Sequence, residues 1–295
     1  MLQRSNIEFN VVEHCNLRCR GCDHGSPLLE KRFVAVEDFA RDLQALARVL
    51  HVKELRLVGG EPLMHPRLLD FLRVGRESGL ADRMVLITNG VLLHTVPSEV
   101  WKLVDRLWLS IYPGIRPKMT VEDCEELARQ HGFEFKVRRM DEFRLTVLNH
   151  RIDDSRLVDE IYRKCALAHV WACHTLYDGR YYKCSPAPFM HPRLARLGID
   201  FAESPNDSVS VYGDPEDVEE RLARYLADPK PLAACSYCLG DQGPLFPHRQ
   251  LGDSGAEWLA EDHHSAVQEM AERLGTARDP NEGLFVSITS SRTHN

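Results

Sequence analysis

Five short β-prone runs, Ile7–Val12, Glu54–Val58, Arg83–Thr88, Arg106–Ile111 and Glu134–Met140, alternate with helical patterns, and this alternation leaves the chain few architectures. The first helical pattern, Val36–Leu50, sets Phe39, Leu43, Leu46, Ala47 and Leu50 on one face. The second opens at Pro66, a favourable first helical position, and runs to about Ser78. The third and fourth follow Ser98 and Thr120, whose side chains suit an N-cap. Strands separated by single helices at this spacing form right-handed βαβ units around a parallel sheet. The pattern therefore predicts an α/β fold, a partial (β/α) barrel over residues 1–151, with functional groups gathered in loops at the strands' C-terminal ends.

The alternation stops near Arg151. A short helix in DDSRLVDEIYRKC leads to WACHTLYDGRYYKC, where two β-prone arms flank Asp178-Gly179, a hairpin signal. A helix in PEDVEERLARYLAD precedes CSYC, and another is expected around Glu257–Leu274. These elements predict a smaller unit over 152–250, then a C-terminal helix and polar tail over 251–295, loose after about Arg278. With 43% hydrophobic and 27% charged residues the chain has the makings of a packed core. A net charge of −7 without a Lys/Arg-rich run argues against a nucleic-acid partner. No apolar run approaches the ~18 residues of a membrane span, and no secretory signal opens the chain, so the expected location is cytoplasmic.

Eight of the nine cysteines fall in groups: Cys15, Cys19 and Cys22, then Cys165, Cys173 and Cys184, then Cys235 and Cys238. Cys124, on a helical pattern with Val121, Leu127 and Ala128, reads as a buried structural thiol. Clustered cysteines in a chain of this type favour metal or redox chemistry over disulfides. The first group has C-x3-C-x2-C spacing immediately past the first strand. Three thiolates can hold three corners of a [4Fe–4S] cluster and leave one iron open to a small molecule. A structural zinc site is the alternative, with His14 or His24 as fourth ligand. The second strand ends in Gly59-Gly60-Glu61-Pro62, glycines that permit close backbone approach beside a carboxylate. The third and fourth strands end at Thr88-Asn89 and Ser110, polar groups for the same rim.

C-x3-C-x2-C after the first strand and GGEP after the second resemble the radical S-adenosylmethionine (SAM) superfamily, over roughly residues 7–145. The resemblance implies that Cys15, Cys19 and Cys22 bind a [4Fe–4S] cluster, that Gly59, Gly60 and Glu61 receive the methionyl amine of SAM, and that Asn89 and Ser110 contact its ribose or carboxylate. It also implies a 5′-deoxyadenosyl radical that abstracts hydrogen, and a flavodoxin- or ferredoxin-type electron donor. Gly21 departs from the family, which has an aromatic residue there, so adenine would be shielded by Leu17 or by Ile111 and Tyr112. Gly179-x4-Cys184 and Cys235-x2-Cys238 resemble the twitch/SPASM type of auxiliary-cluster domain, implying a second [4Fe–4S] cluster. Cys165, Cys184, Cys235 and Cys238 are the preferred ligands, with Cys173 the alternative to Cys165.

Four thiolates would close that second site to substrate and suit it to electron transfer. This pushes the reading toward oxidation of a small-molecule alcohol, sugar- or aminocyclitol-like, as in the twitch dehydrogenases of aminocyclitol biosynthesis. Arg138, on the basic fifth strand EFKVRRM, is the candidate catalytic residue for substrate contact; a solvated strand end is its ordinary explanation. His248 and Arg249 are further pocket candidates. Peptide modification is the alternative function, although such enzymes commonly carry a leader-binding domain that is not expected in a chain entering its first strand at residue 7. A non-enzymatic iron–sulfur sensor would have no use for an open cluster.

Overall fold

The computed structural model describes residues 1–252, 257 and 261–275. The barrel elements are β1 (Leu2–Asn10), α1 (Val36–Leu46), β2 (Leu50–Val58), α2 (Leu68–Glu77), β3 (Ala81–Thr88), β4 (Arg106–Ile111), α3 (Val121–His131) and β5 (Glu134–Arg139). Beyond them come β6 (Glu142–Arg144), α4 (Ser155–Lys164), α5 (Ala166–His169), β7 (Thr175–Tyr177), β8 (Arg180–Tyr182), α6 (Met190–Ala195), β9 (Ser208–Ser210), α7 (Pro215–Ala227), β10 (Leu245–Pro247) and α8 (His264–Leu274).

Strands β1 to β5 pair in parallel in chain order, as single crossovers of one hand require. The chain thus has the α/β architecture with a parallel sheet that its periodicity predicts. One face of the sheet is apolar: Ile7, Phe9, Leu55 and Leu57 meet Phe39, Leu43 and Phe71 of α1 and α2, all fully buried or nearly so. Phe9 and Phe39 lie 4.5 Å apart between centroids, Phe39 and Phe71 4.9 Å. The other face is charged. Glu54 pairs with Arg56 and Arg106, Arg106 with Glu134, and Arg56 faces Glu8 at 3.7 Å. A carboxylate–guanidinium ladder therefore crosses the inside of the barrel.

Three helices differ from the periodicity: the second opens at Leu68, two residues after Pro66. The third is a five-residue 3-10 turn, Ser98–Lys102, rather than an α-helix. The first ends at Leu46, since Leu50 is drawn into β2 opposite Leu2. The helix after Thr120 has the expected start, a capping box in which Thr120 accepts from the Asp123 N–H and Asp123 from the Thr120 N–H.

The Asp178-Gly179 turn joins β7 to β8, both residues with positive φ (46° and 69°), the conformation of a tight hairpin. The hairpin adds to the barrel sheet: β7 pairs in parallel with β1, giving the order β5-β4-β3-β2-β1-β7-β8-β9. A second, small sheet pairs β10 with β6. The helix expected over Glu257–Leu274 is observed as α8, with Glu261–His263 irregular before it and residues 258–260 outside the described residues. The tail after Arg278 also lies outside them. Among the described residues no helix is long and apolar enough to cross a membrane.

Candidate active site

The loop after β1 carries Cys15, Cys19 and Cys22, and the loop after β2 packs onto it. A Cβ on Gly59, whose φ is +147°, would lie 2.3 Å from the Val12 carbonyl oxygen, and one on Gly60 would lie 2.0 Å from that of His14. The Gly60 and Glu61 N–H groups donate to those same carbonyls at 2.8 and 3.2 Å. The close approach expected toward a ligand is thus made, in these side-chain-free positions, toward the chain's own cysteine loop.

Glu61 is turned inward. Its Oε1 accepts from the Leu63 N–H at 3.0 Å and the Thr88 hydroxyl at 2.6 Å, and its Oε2 from the Asn89 N–H at 2.8 Å. Burial raises its pKa to about 7 against the pull of these three donors. A carboxylate has about four acceptor sites, so one is left for a ligand. Asn89 reaches the cysteine loop in turn: its Nδ2 donates to Asn16 at 2.7 Å and lies 3.6 Å from the Cys15 sulfur. Glu61→Gln replaces an acceptor by an NH2 facing a donor. It is expected to lower stability by about 1–3 kcal/mol in denaturant unfolding, with SAM affinity falling as the two loops part; an unchanged unfolding midpoint would contradict this brace.

These groups line one cavity of about 600 Å³ at the C-terminal ends of the parallel strands. Cys15, Cys19, Cys22, Gly59, Gly60, Glu61, Asn89, Ser110 and Arg138 all border it, whereas Ile111 and His14, also singled out from the sequence, do not. Leu17 and Tyr112 border it too. Gly21 does not need an aromatic side chain: the ring of Phe246, on β10, occupies the space, 2.5 Å from where a Cβ would stand. Arg138 is exposed at the rim, and among the described residues no carboxylate lies within ion-pair distance of it.

Some lining residues escaped the sequence reading. Glu8, Arg56, Asp23 and Trp108 form the cavity's inner wall. Their signal was present, since Asn6, Glu8 and Asn10 alternate with apolar residues on a strand whose other face is core. Burial holds the Glu8 carboxyl up at about 7. His248, a pocket candidate, stands with Nε2 3.2 Å from the Cys19 sulfur, and Gln250 donates to the same sulfur at 3.4 Å. The Arg18 N–H holds the Gln250 carbonyl oxygen and so aims its NH2 at Cys19. Arg249 turns away to Glu261 at 2.9 Å.

The three first thiols are raised in pKa by burial, Cys19 to about 12, with Cys22 adding to Cys15 and Cys19. Yet N–H donors aim at sulfur, from Leu17 to Cys15 at 3.3 Å and from Gln250 to Cys19, the setting of a thiolate rather than a thiol. A metal deprotonates a coordinating thiol outright, so this donor set fits an iron–sulfur cluster. Among the described residues no group of three or more His, Cys, Asp or Glu is disposed around a single metal ion.

The later cysteines divide. The Cys184 thiol is pushed up by burial and then by neighbouring Cys235, Cys238 and Cys165, and that of Cys238 by burial and then Cys165 and Cys235. The Gly240 N–H donates to the Cys238 sulfur at 3.2 Å, and the Cys165 sulfur lies 2.8 Å from the position a Gly240 Cβ would take. Four thiols and a sulfur-directed N–H again suit a cluster. Cys173 packs beside this group but borders the 600 Å³ cavity, where Glu8, Arg56, Asp23 and Arg138 are its charged neighbours. Cys124 is fully buried, as expected of a structural thiol.

GTP 3′,8-cyclase 1 of Mycobacterium tuberculosis is 35% identical over 96 residues, 30% of this chain and 26% of that protein. GTP 3′,8-cyclase of Heliobacterium modesticaldum is 38% identical over 117 residues, 38% of this chain and 35% of the relative. The chain thus spans about a quarter to a third of the length of these curated relatives. Among solved structures, BtrN in complex with AdoMet and 2-DOIA aligns with a TM-score of 0.43 and 14% identity over 76% of this chain and 82% of BtrN. Streptococcus suis SuiB bound to its precursor peptide SuiA aligns with a TM-score of 0.34 and 14% identity, over 74% and 65%. Residues 9–144, which hold the first three cysteines, the Gly-Gly-Glu-Pro loop and the strands β2 to β5, match the model of the Radical SAM superfamily.

Proposed function

We propose that this protein is a radical SAM oxidoreductase that abstracts a hydrogen atom from a small polar, sugar- or aminocyclitol-like alcohol and oxidises it, with a second iron–sulfur cluster as electron acceptor. The observation that carries this reading is the convergence of the first three thiols, the Glu61 loop, Asn89, Ser110 and Arg138 on one cavity. In it Cys15, Cys19 and Cys22 hold a [4Fe–4S] cluster, and Cys165, Cys184, Cys235 and Cys238 a second. With SAM, the first cluster would supply a 5′-deoxyadenosyl radical able to take a substrate hydrogen, the reducing equivalents coming from a flavodoxin- or ferredoxin-type donor.

The chain's own residues bind and orient. Glu61 fixes the two loops against each other and keeps one acceptor site for the methionyl ammonium; Asn89 and Ser110 offer polar contacts beside it. An arginine stays protonated, so Arg138 holds and polarises a hydroxyl rather than taking its proton. Glu8, whose carboxyl titrates near neutrality inside the cavity, is the group able to accept that proton at its carboxylate. Phe143, Trp108 and Leu167 narrow the cavity and limit water.

The charges of the lining favour this substrate class. Glu8, Asp23 and Glu61 stand against Arg56 and Arg138, and Arg56 is already engaged by Glu8 and Glu54. A polyphosphate such as the GTP in the cyclase relatives' names would meet one uncommitted cation among the described residues. A neutral or cationic polyhydroxylated molecule meets acceptors. Anaerobic incubation of reconstituted protein with SAM, dithionite and a panel of sugars, aminocyclitols, nucleotides and peptides tests the reading: 5′-deoxyadenosine should rise with a polyol or aminocyclitol. A rise with a peptide alone would move the protein to peptide modification.

The ligand partition has its own test. Cys173→Ser is expected to keep the parent's iron, about eight per chain for two [4Fe–4S] clusters, whereas Cys165→Ser should lose iron from the second. Iron loss in Cys173→Ser with retention in Cys165→Ser would reverse the assignment.

A further inference from the structure

Arg193, on α6 and nine residues after Cys184, heads the protein's fully buried large side chains at 2% exposure. Its Nη2 donates to the main-chain carbonyls of Cys22, at 2.9 Å, and Asp23, while its Nε is buried without a partner. The chain makes room for it. A Cβ on Gly25, whose φ is +68°, would lie 2.2 Å from that Nε. Among the described residues no carboxylate comes within ion-pair distance of it.

The second thiol set is linked to this loop by another route, through Thr146, which hydrogen-bonds the Asp23 side chain. Leu239, next to Cys238, donates its N–H to the Thr146 carbonyl at 2.7 Å, and Val147 forms a β-bridge with Cys238. The two thiol sets thus share one seam, with Arg193 arriving from the Cys184 side and Thr146–Val147 from the Cys238 side.

A guanidinium buried against carbonyls alone is costly unless negative charge lies close by. Iron–sulfur clusters with thiolate ligands carry net negative charge, and both thiol sets flank this side chain. Building on the two-cluster reading above, we propose that Arg193 is a positioning residue for both clusters, a fixed cation that holds the Cys22 loop and makes the first cluster easier to reduce. A cation beside a centre that gains an electron favours the reduced form, so removing it moves the midpoint to more negative potential.

The test is a redox titration of the reconstituted holoenzyme followed by EPR, for the parent, Arg193→Gln and Arg193→Lys at matched iron content. In Arg193→Gln the one-electron reduction of the first cluster should be at least tenfold less favourable, about 59 mV more negative. Arg193→Lys, which keeps the charge and loses the fork, should stay within about threefold of the parent, about 28 mV on the same scale. Full iron in Arg193→Gln with an unmoved midpoint overturns the proposal, and so does a Lys variant that shifts as far as Gln. If Arg193→Gln loses iron, Gly25→Ala is read instead, since its Cβ displaces the guanidinium and leaves the charge in the chain. Its midpoint should also move negative, and an unmoved one overturns the proposal. A parent holding iron for one cluster only would contradict the two-cluster reading, while the Arg193→Gln shift at the first cluster would still be expected.

Discussion

Replacing Cys15, Cys19 and Cys22 together by alanine should leave about four of about eight irons per chain and abolish SAM cleavage. The three thiols border the same cavity, and N–H donors from Leu17 and Asn89 reach Cys15 while Gln250 reaches Cys19. None of the second set borders that cavity, so its iron should remain. The fold should survive, since the core residues Ile7 and Phe9 of β1 and Val11 and Val12 just after it are untouched and buried. Iron analysis with EPR of the reduced protein reads both parts. Loss of all iron would mean that the two sites assemble as one, and retention of about eight irons would remove the three cysteines from metal binding.

The second large effect is expected from Cys235→Ala combined with Cys238→Ala. Both cysteines lie half-buried in the turn after Leu232, where desolvation holds Cys235 up at about 12, and Cys238 shares Gly240 with Cys165. The variant should lose about four irons, still cleave SAM, and form little oxidised product, since nothing would then accept the electron left on the substrate carbon. Product at the parent's rate would make the second cluster structural and remove the oxidation from the proposed function.

Much of the barrel and of the first site could be read from local pattern. β4 runs over the residues that its period-2 signal marks, Arg106–Ile111, and β2 and β3 end where expected, at Val58 and Thr88. Loops at the C-terminal ends of parallel strands converge by topology, so Cys15, Glu61, Asn89 and Ser110 could be gathered without knowing any distance. What was hidden depends on pairing between residues far apart in the chain. Nothing local tells that β7 lies against β1, or that His248 and Gln250 return to Cys19 across some 230 positions. Gly21 looked like a missing aromatic until Phe246 from β10 filled its place. Glu61 looked like a ligand group, and its three hydrogen bonds to Leu63, Thr88 and Asn89 require the third strand to be beside it. Arg193 is distinguished only by its burial, which no local pattern signals.

The most direct test of the proposed function uses a polyol or aminocyclitol deuterated at the carbinol carbon, incubated anaerobically with the fully reconstituted protein, SAM and dithionite. Deuterium should appear in 5′-deoxyadenosine in a 1:1 ratio with ketone, and Arg138→Ala should lower both together while leaving the iron content unchanged. Protein with its full iron complement that forms no 5′-deoxyadenosine with any member of the panel, or 5′-deoxyadenosine that carries no substrate deuterium while ketone accumulates, would contradict it.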